Sequence, residues 1–308
     1  MTVSRVQAHV APQGHREWIS DAVRAGGAQI VEAAEAEALF YTHPNDPDGL
    51  RELLDANPGI AWVQLPWAGI EGYVEAGLLG QSRLWTSGKG LYSKPVAEHA
   101  LSLALAGLHG LKRYSLARSW GDQDGISLMD GRVTIFGAGG IAQELIRLLR
   151  PFECAITVIR RSPAPMSGVE AVLSFDERYR GLKDADVVFL ALPLLPETRG
   201  LIGEVEFELM APHAWLVNVA RGPHVLTEDL LIALREDAIG GGALDVTDPE
   251  PLPEGHPLWS LPNCLITPHT ANTEAMAIPL LRDRIIENLR RYARGDDLLG
   301  RVEPSLGY

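Results

Sequence analysis

The stretch "VTIFGAGGIAQELIRLL", Val133 to Leu149, places small residues between an apolar run and a run of apolar residues with helical spacing. Gly137, Gly139 and Ala142 have the spacing G-x-G-x-x-A, which is typical of dinucleotide binding when a strand precedes it and a helix follows. Gly137 permits a tight turn, Gly139 lets the backbone approach a pyrophosphate, and Ala142 allows close packing of the helix. The helix N-terminus offers its N–H groups to the anion. The segment therefore predicts a dinucleotide-binding unit, and a glycine turn that serves packing alone is the alternative.

The next predicted strand ends in two arginines. Arg160 lies 23 residues after Gly137, and Arg161 and Ser162 follow it directly. An acidic residue at this point accepts hydrogen bonds from the ribose hydroxyls of NAD, whereas guanidinium groups bind the oxygens of a 2′-phosphate. We therefore expect Arg160, Arg161 and Ser162 to bind the cofactor and to favour NADP(H) over NAD(H). A solvent-exposed arginine pair without a ligand is the alternative.

Short strand-like runs alternate with helical patterns along most of the chain. Four such runs lie in the first ninety residues, and six more follow one another from residue 132 onward. Alternation of this kind predicts the α/β class, with doubly wound parallel sheets and helices on both faces. A helical pattern from Lys94 to Trp120 is expected to link two domains, and an amphipathic helix after Asn272 is expected to return to the first domain.

The composition excludes several classes of protein. The 308 residues are 46% hydrophobic and 22% charged, which is ordinary for a soluble globular protein. The net charge of −13 opposes binding to nucleic acid or to an anionic membrane surface. Cys154 and Cys264 do not have metal-ligand spacing, and we expect no metal. The first residues lack the pattern of a signal peptide, and the longest apolar run is too short and polar to span a membrane, so we expect a cytoplasmic protein.

Five further segments have the order and spacing found in one family. They are "GLYSKPVAEHALSLALA" from residue 90, "ALPLLPETRGLIG" from 191, "LVNVARGP" from 216, "ALDVTDPEPLP" from 243 and "ITPHTA" from 266. Over residues 60 to 275 the chain resembles the D-isomer-specific 2-hydroxyacid dehydrogenases, and most of all the glyoxylate/hydroxypyruvate reductases among them. The resemblance implies a Rossmann-type cofactor lobe, residues 96–274, inserted into a flavodoxin-like substrate lobe, residues 1–95 and 275–308. It also implies a cleft that closes on the ligands and a homodimer.

The resemblance also implies which residues reduce a small 2-keto acid or oxidise the D-2-hydroxy acid. Arg221 would bind the substrate carboxylate and keto oxygen with its planar fork. His269 would protonate the developing alkoxide, and Glu250 would orient the imidazole and raise its pKa. Each of these residues alone would be unremarkable, and the motif in which each lies singles it out.

Further residues acquire roles in the same way. Asp245 matches the residue that faces the nicotinamide amide, and a carboxylate that only caps a strand end is the alternative. The other implied cofactor contacts are Gly137, Gly139, Gly140, Ile141, Leu192, Pro193 and Ala220. The implied substrate contacts are Trp67, Ala68 and Gly69, in addition to Arg221 and His269. The N–H groups of Ala68 and Gly69 would bind the substrate carboxylate, and Trp67 replaces a residue that is usually small.

Two other functions are compatible with parts of this pattern. A corepressor of this fold binds the dinucleotide as a signal without turnover, and the complete set of Arg221, Glu250 and His269 argues against that function. Formate dehydrogenase is a relative that has an amide at the position of Glu250. A turnover assay with several 2-keto acids separates these functions.

Overall fold

The structure is a computed structural model that describes residues 5–14, 16–43, 45–80 and 82–303. The chain divides into two compact units. Met1–Tyr92 together with Glu274–Tyr308 form unit 1, and Ser93–Thr273 forms unit 2. Each unit contains a parallel β-sheet flanked by helices, which confirms the predicted α/β class with two parallel sheets.

The sheet of unit 1 has five strands in the order β2-β1-β3-β4-β5. The strands are β1 Gln7–Ala11, β2 Gln29–Ile30, β3 Ala38–Tyr41, β4 Trp62–Gln64 and β5 Leu84–Thr86. The helices of this segment are α1 Trp18–Ala25, α2 Pro47–Ala56 and α3 Glu71–Glu75. Every residue of β3 and β4 is buried, as expected for parallel strands covered on both faces. The strand order is that of the flavodoxin-like sheets.

Unit 2 begins with a helix and contains a seven-stranded sheet in the order β12-β11-β10-β9-β6-β7-β8. Its helices are α4 Ser93–Leu108, α5 Leu111–Leu116, α6 Gly140–Leu149, α7 Arg178–Leu182, α8 Glu204–Leu209 and α9 Thr227–Arg235. Its strands are β6 Arg132–Phe136, β7 Ala155–Ile159, β8 Ala171–Leu173, β9 Val187–Leu190, β10 Trp215–Asn218, β11 Gly241–Leu244 and β12 Cys264–Ile266.

The strand order of unit 2 fixes where a ligand can bind. From β6 the chain first adds β7 and β8 on one side and then β9 to β12 on the other. The turn after β6 and the turn after β9 therefore lie side by side where the direction of winding reverses. In doubly wound sheets this reversal, at the carboxyl ends of the strands, is where nucleotides bind.

The last helix, α10 Glu274–Arg294, belongs to unit 1 and packs against α1. The chain thus returns to its first unit through this helix. The buried cluster between the two helices contains Ile19, Val23, Leu281, Ile285 and Leu289. Among the described helices, none has both the length and the apolar character needed to cross a membrane.

Three details differ from the sequence prediction. The helical pattern from Lys94 to Trp120 is interrupted, because α4 ends at Leu108 and Gly110 adopts a left-handed conformation with φ of 61° before α5. The strands β2 and β8 are absent from the prediction. They have two and three residues, too few to show a periodic pattern, and both pair at the edge of a sheet.

Candidate active site

The turn after β6 is built around Gly137, which has a φ of +107°. A Cβ atom on this residue would overlap the carbonyl oxygen of Ala191, at the end of β9. The backbone N–H of Gly137 donates to the carbonyl of Ile159 at 2.8 Å, which ties the turn to the end of β7 as well. Backbone conformation and close packing therefore both require glycine here.

Gly139 has a different environment from Gly137. It precedes the first turn of α6 with an extended backbone, and a Cβ atom added to it would meet nothing within 4 Å. Gly140 and Ile141 begin the helix, and Ala142 is fully buried beneath it. The packing of this chain does not require a glycine at 139, so the open space beside the helix N-terminus fits an anionic group that approaches the backbone.

The two arginines after β7 lie at the tip of the strand. Arg160 is half-buried, and its backbone N–H donates to the carbonyl of Leu173 at 3.0 Å. Arg161 and Ser162 are exposed. In the sheet, β6 lies between β9 and β7. In nucleotide-binding sheets of this order, the residue that selects the cofactor also lies at the end of the strand next to β6 on the side away from β9.

Glu250 and His269 form a hydrogen-bonded pair in unit 2. Glu250 Oε1 lies 2.7 Å from His269 Nδ1, and the side chains are 41% and 55% exposed. The hydrogen bond to Glu250 raises the pKa of His269, against the opposing effect of burial, and the charge of Glu250 adds to the increase. The hydrogen bond from His269 in turn lowers the pKa of Glu250. The arrangement stabilises an imidazolium that can still be reached from solvent.

A buried carboxylate fixes the turn that carries His269. Asp245, 2% exposed, follows β11, and its carboxylate accepts hydrogen bonds from Thr267 Oγ1 at 2.6 Å, Thr270 N at 2.8 Å and Ala271 N at 3.0 Å. Its carbonyl accepts the N–H of His269 at 2.9 Å. His269 has a φ of +52°, an uncommon conformation for a residue with a side chain. These bonds hold the turn in that conformation.

His99 of α4 completes this network. Its Nε2 lies 3.0 Å from Thr267 Oγ1 and 3.3 Å from Asp245 Oδ1. Burial alone would raise the pKa of the Asp245 carboxyl, but the hydrogen bonds that it accepts leave the pKa below its usual value. Asp245 is therefore held as an anion at the base of the His269 turn. Whether it also contacts a nicotinamide stays a prediction.

Arg221 follows β10, and its backbone is fixed by two fully buried side chains. Asn218 Nδ2 donates to the Arg221 carbonyl at 2.9 Å, and His224 Nδ1 lies 2.9 Å from the same oxygen. The guanidinium Nη1 donates to the carbonyl of Ala220 at 2.7 Å. A Cβ atom on Gly222 would overlap the carbonyl of Thr247, so the loops after β10 and β11 are in close contact.

Two further predicted cofactor contacts, Leu192 and Pro193, lie after β9, and a third, the buried Ala220, follows β10. Leu192 is buried and Pro193 is exposed. The Pro193 carbonyl accepts a hydrogen bond from Thr198 Oγ1 at 3.0 Å and lies 3.3 Å from His224 Nε2. His224 thus connects this loop to the Arg221 loop.

The predicted substrate contacts of unit 1 lie in the loop after β4. Ala68 is exposed, and Trp67 and Gly69 are half-buried. Trp67 packs against Tyr92 with 5.8 Å between the ring centres, and the guanidinium of Arg16 lies over the Trp67 ring at 5.0 Å. Local sequence patterns do not pair these positions, because Tyr92 and Arg16 are 25 and 51 residues from Trp67 along the chain.

Several residues of the site are not identified by the sequence. Four residues contact the backbone or the side chains of the predicted residues but form no sequence motif by themselves: His99, Thr267, Asn218 and His224. His99, Asn218 and Thr267 do lie within segments that resemble the family, which is the available signal. Within the described ranges, no three His, Cys, Asp or Glu side chains form a group that could hold a metal ion.

Residues 100–271 match the family model of the D-isomer specific 2-hydroxyacid dehydrogenase, NAD binding domain. A protein of Corynebacterium melassecola named "Uncharacterized protein in proB 3'region" is 35% identical, over 93% of this chain and 95% of its own. Glyoxylate/hydroxypyruvate reductase A of Photorhabdus laumondii is 31% identical, over 83% of this chain and 84% of its own. The crystal structure of a D-isomer specific 2-hydroxyacid dehydrogenase from Xanthobacter autotrophicus in complex with NADPH and MES has a TM-score of 0.86 and 26% identity, and covers 99% of this chain and 100% of its own.

Proposed function

Because the chain belongs to the D-isomer specific 2-hydroxyacid dehydrogenase family, we propose that it reduces a small 2-keto acid of the glyoxylate or hydroxypyruvate type with NADPH. The reaction consumes the keto acid, NADPH and one proton, and yields the 2-hydroxy acid, of D configuration where the carbon is chiral, and NADP⁺. The cofactor supplies the hydride when it is bound. The protein supplies the proton, the positive charge and the position of the substrate.

The observation that carries this proposal is the 2.7 Å pair of Glu250 and His269. Nδ1 faces the carboxylate, so Nε2 is the nitrogen that can donate a proton to the keto oxygen. The raised pKa of His269 keeps this proton in place near neutral pH. Arg221 would hold the substrate carboxylate and stabilise the negative charge that develops on the oxygen. Ala68 and Gly69 of unit 1 would add backbone N–H groups to the carboxylate.

We infer a preference for NADP(H) from the β7 tip. Arg160 and Arg161 offer local positive charge to a 2′-phosphate, in a protein with a net charge of −13. The open space at Gly139 fits a pyrophosphate at the N-terminus of α6. The Xanthobacter relative was crystallised with NADPH, which supports the same choice. Gly140, Ile141, Leu192, Pro193, Ala220 and Asp245 are the further proposed cofactor contacts.

We also propose that the protein is a cytoplasmic homodimer. The resemblance to the family supports the dimer. Two free cysteines, neither in a disulfide, fit a reducing compartment. Gel filtration with light scattering would give the mass in solution, and one 33.5 kDa chain per particle would contradict the dimer.

The decisive experiment follows the absorbance of NADPH and NADH with glyoxylate, hydroxypyruvate, pyruvate and phenylpyruvate. We expect turnover with at least glyoxylate or hydroxypyruvate, and faster turnover with NADPH. A cofactor-sensing protein would bind NADPH tightly and oxidise it with none of the four acids. Chiral chromatography of the glycerate formed from hydroxypyruvate tests the D configuration.

A further inference from the structure

We propose that Arg16 contacts the substrate and selects 2-keto acids that carry a second carboxylate over those with an alkyl side chain. The inference rests on the proposed function, because it assigns the part of the substrate beyond the reacting carbonyl. Arg16 lies in unit 1, between β1 and α1, and has a left-handed backbone with φ of 57°.

Three neighbours from separate parts of unit 1 hold the Arg16 side chain. Its Nε donates to Glu274 Oε1 at 3.1 Å, and its Nη1 donates to the carbonyl of Thr42, directly after β3. Its guanidinium carbon lies 5.0 Å from the centre of the Trp67 ring, in a cation–π contact. Thr42 and Trp67 both follow the carboxyl ends of strands. Arg16 therefore lies at the edge where parallel α/β sheets bind ligands, beside the loop of Ala68 and Gly69.

The guanidinium has more hydrogen-bond donors than its neighbours use. It carries five N–H groups, and in the described part of the chain two acceptors, Glu274 and Thr42, are bonded to it. The Arg16 side chain is only 13% exposed, whereas Glu274 is 58% exposed, and exposed partners of this kind stabilise an ion pair weakly. A largely buried cation with unused donors is costly unless another acceptor binds it. A ligand acceptor would satisfy those donors.

The chemistry of the group selects a carboxylate. The planar fork of arginine matches a carboxylate in two parallel hydrogen bonds, whereas a methyl or phenyl group offers it nothing. The Trp67 ring lies beside the guanidinium, and its bulk would reduce the room for a large apolar side chain there. A dianionic substrate also needs local positive charge in a protein with a net charge of −13. A short dicarboxylic 2-keto acid such as oxaloacetate meets these requirements.

The test compares kcat/KM for oxaloacetate, pyruvate and glyoxylate in the wild type and in Arg16→Gln. We expect the wild type to favour oxaloacetate over pyruvate by about 10- to 100-fold, the worth of a charge-assisted pair of hydrogen bonds. Arg16→Gln should reduce that preference to about 3-fold or less and leave glyoxylate, which has no side chain, within about 3-fold. Arg24→Gln, an exposed arginine of α1, is the matched control and should change neither ratio.

Glu274→Gln separates the ligand role of Arg16 from a structural role. The carboxylate of Glu274 competes with the substrate for the guanidinium, so its removal should raise kcat/KM for oxaloacetate by about 2- to 5-fold. If Arg16 only stabilises the loop, this variant should lower the values for all three acids together. Equal wild-type values for oxaloacetate and pyruvate would overturn the proposal.

A binding measurement keeps the inference independent of turnover. Calorimetry with D-malate and D-lactate, in the presence of NADP⁺, should show D-malate binding at least about tenfold more tightly, and Arg16→Gln should remove the difference. Equal dissociation constants in the wild type contradict the inference even when no acid is reduced. Absence of glyoxylate and hydroxypyruvate turnover would instead contradict the proposed function, with the D-malate result still deciding the role of Arg16.

Discussion

Glu250 Oε1 lies 2.7 Å from His269 Nδ1, although 19 residues separate them along the chain. The contact assigns the two ring nitrogens different tasks. Nδ1 is bonded to the carboxylate, and Nε2 is left for a reacting group. Glu250 therefore holds the ring through Nδ1, and the proton that would be transferred lies on Nε2.

His269→Asn removes the proton donor but keeps a polar side chain of similar size. We expect turnover to fall by roughly 100- to 10,000-fold, the usual contribution of general acid catalysis, while NADPH binds as before. Stopped-flow measurement of hydride transfer and a fluorescence titration with NADPH check the two parts. Loss of NADPH binding together with turnover would show that the residue shapes the cofactor site instead.

Glu250→Gln should move the alkaline limb of the pH profile of keto-acid reduction downward. Glu250 raises the pKa of His269, so the protonated form persists to higher pH in the wild type. Without the carboxylate the pKa of His269 falls toward the ordinary histidine value of about 6.5. The rate of keto-acid reduction should therefore begin to decline at a lower pH than in the wild type. A deuteride isotope effect must first show that hydride transfer limits the rate. An unchanged alkaline limb would mean that Glu250 does not control the proton.

Arg160→Asp should reverse the cofactor preference. The wild type should bind NADPH about 10- to 1,000-fold more tightly than NADH, because charge-assisted hydrogen bonds at a partly exposed strand tip are worth part of their full strength. The variant should lose NADPH affinity and keep or gain NADH affinity. Dissociation constants for both cofactors are the measurement, with NADH as the internal control for folding. Similar constants in the wild type would be incompatible with a phosphate contact.

Two alanine substitutions in one turn should affect different properties, stability at Gly137 and cofactor affinity at Gly139. Gly137→Ala forces a Cβ into the carbonyl of Ala191 in a conformation unfavourable for alanine, so it should lower the free energy of unfolding by about 2 kcal/mol or more. Gly139→Ala meets no atom of the chain, so stability should change by less than about 1 kcal/mol while NADPH affinity falls about tenfold or more. Chemical denaturation and cofactor titration of both variants distinguish the two roles.

The features that the sequence could predict are those with a local pattern. The glycine turn, the strand before it and the helix after it are encoded within residues 133–149, and the parallel α/β class follows from the repeated alternation. The short edge strand β8 has no such pattern. His99 is also invisible to local reasoning, because its distance from Asp245 is set by how α4 packs on the sheet, 146 residues away along the chain. The role of Arg16 beside Trp67 depends likewise on a turn conformation that no motif specifies.

The strand order of unit 2 separates the proposed determinants of cofactor choice from the proposed catalytic residues. The arginines that would choose the cofactor lie after β7, on one side of β6, whereas Arg221, Glu250 and His269 follow β10, β11 and β12 on the other. Two strands, β6 and β9, stand between β7 and β10 in the sheet. We therefore expect that substitutions after β7 can change the preference between NADPH and NADH without altering the proton transfer at the other side of the sheet. Laboratory evolution of this scaffold can then proceed one trait at a time, with mutations on the two flanks expected to combine additively.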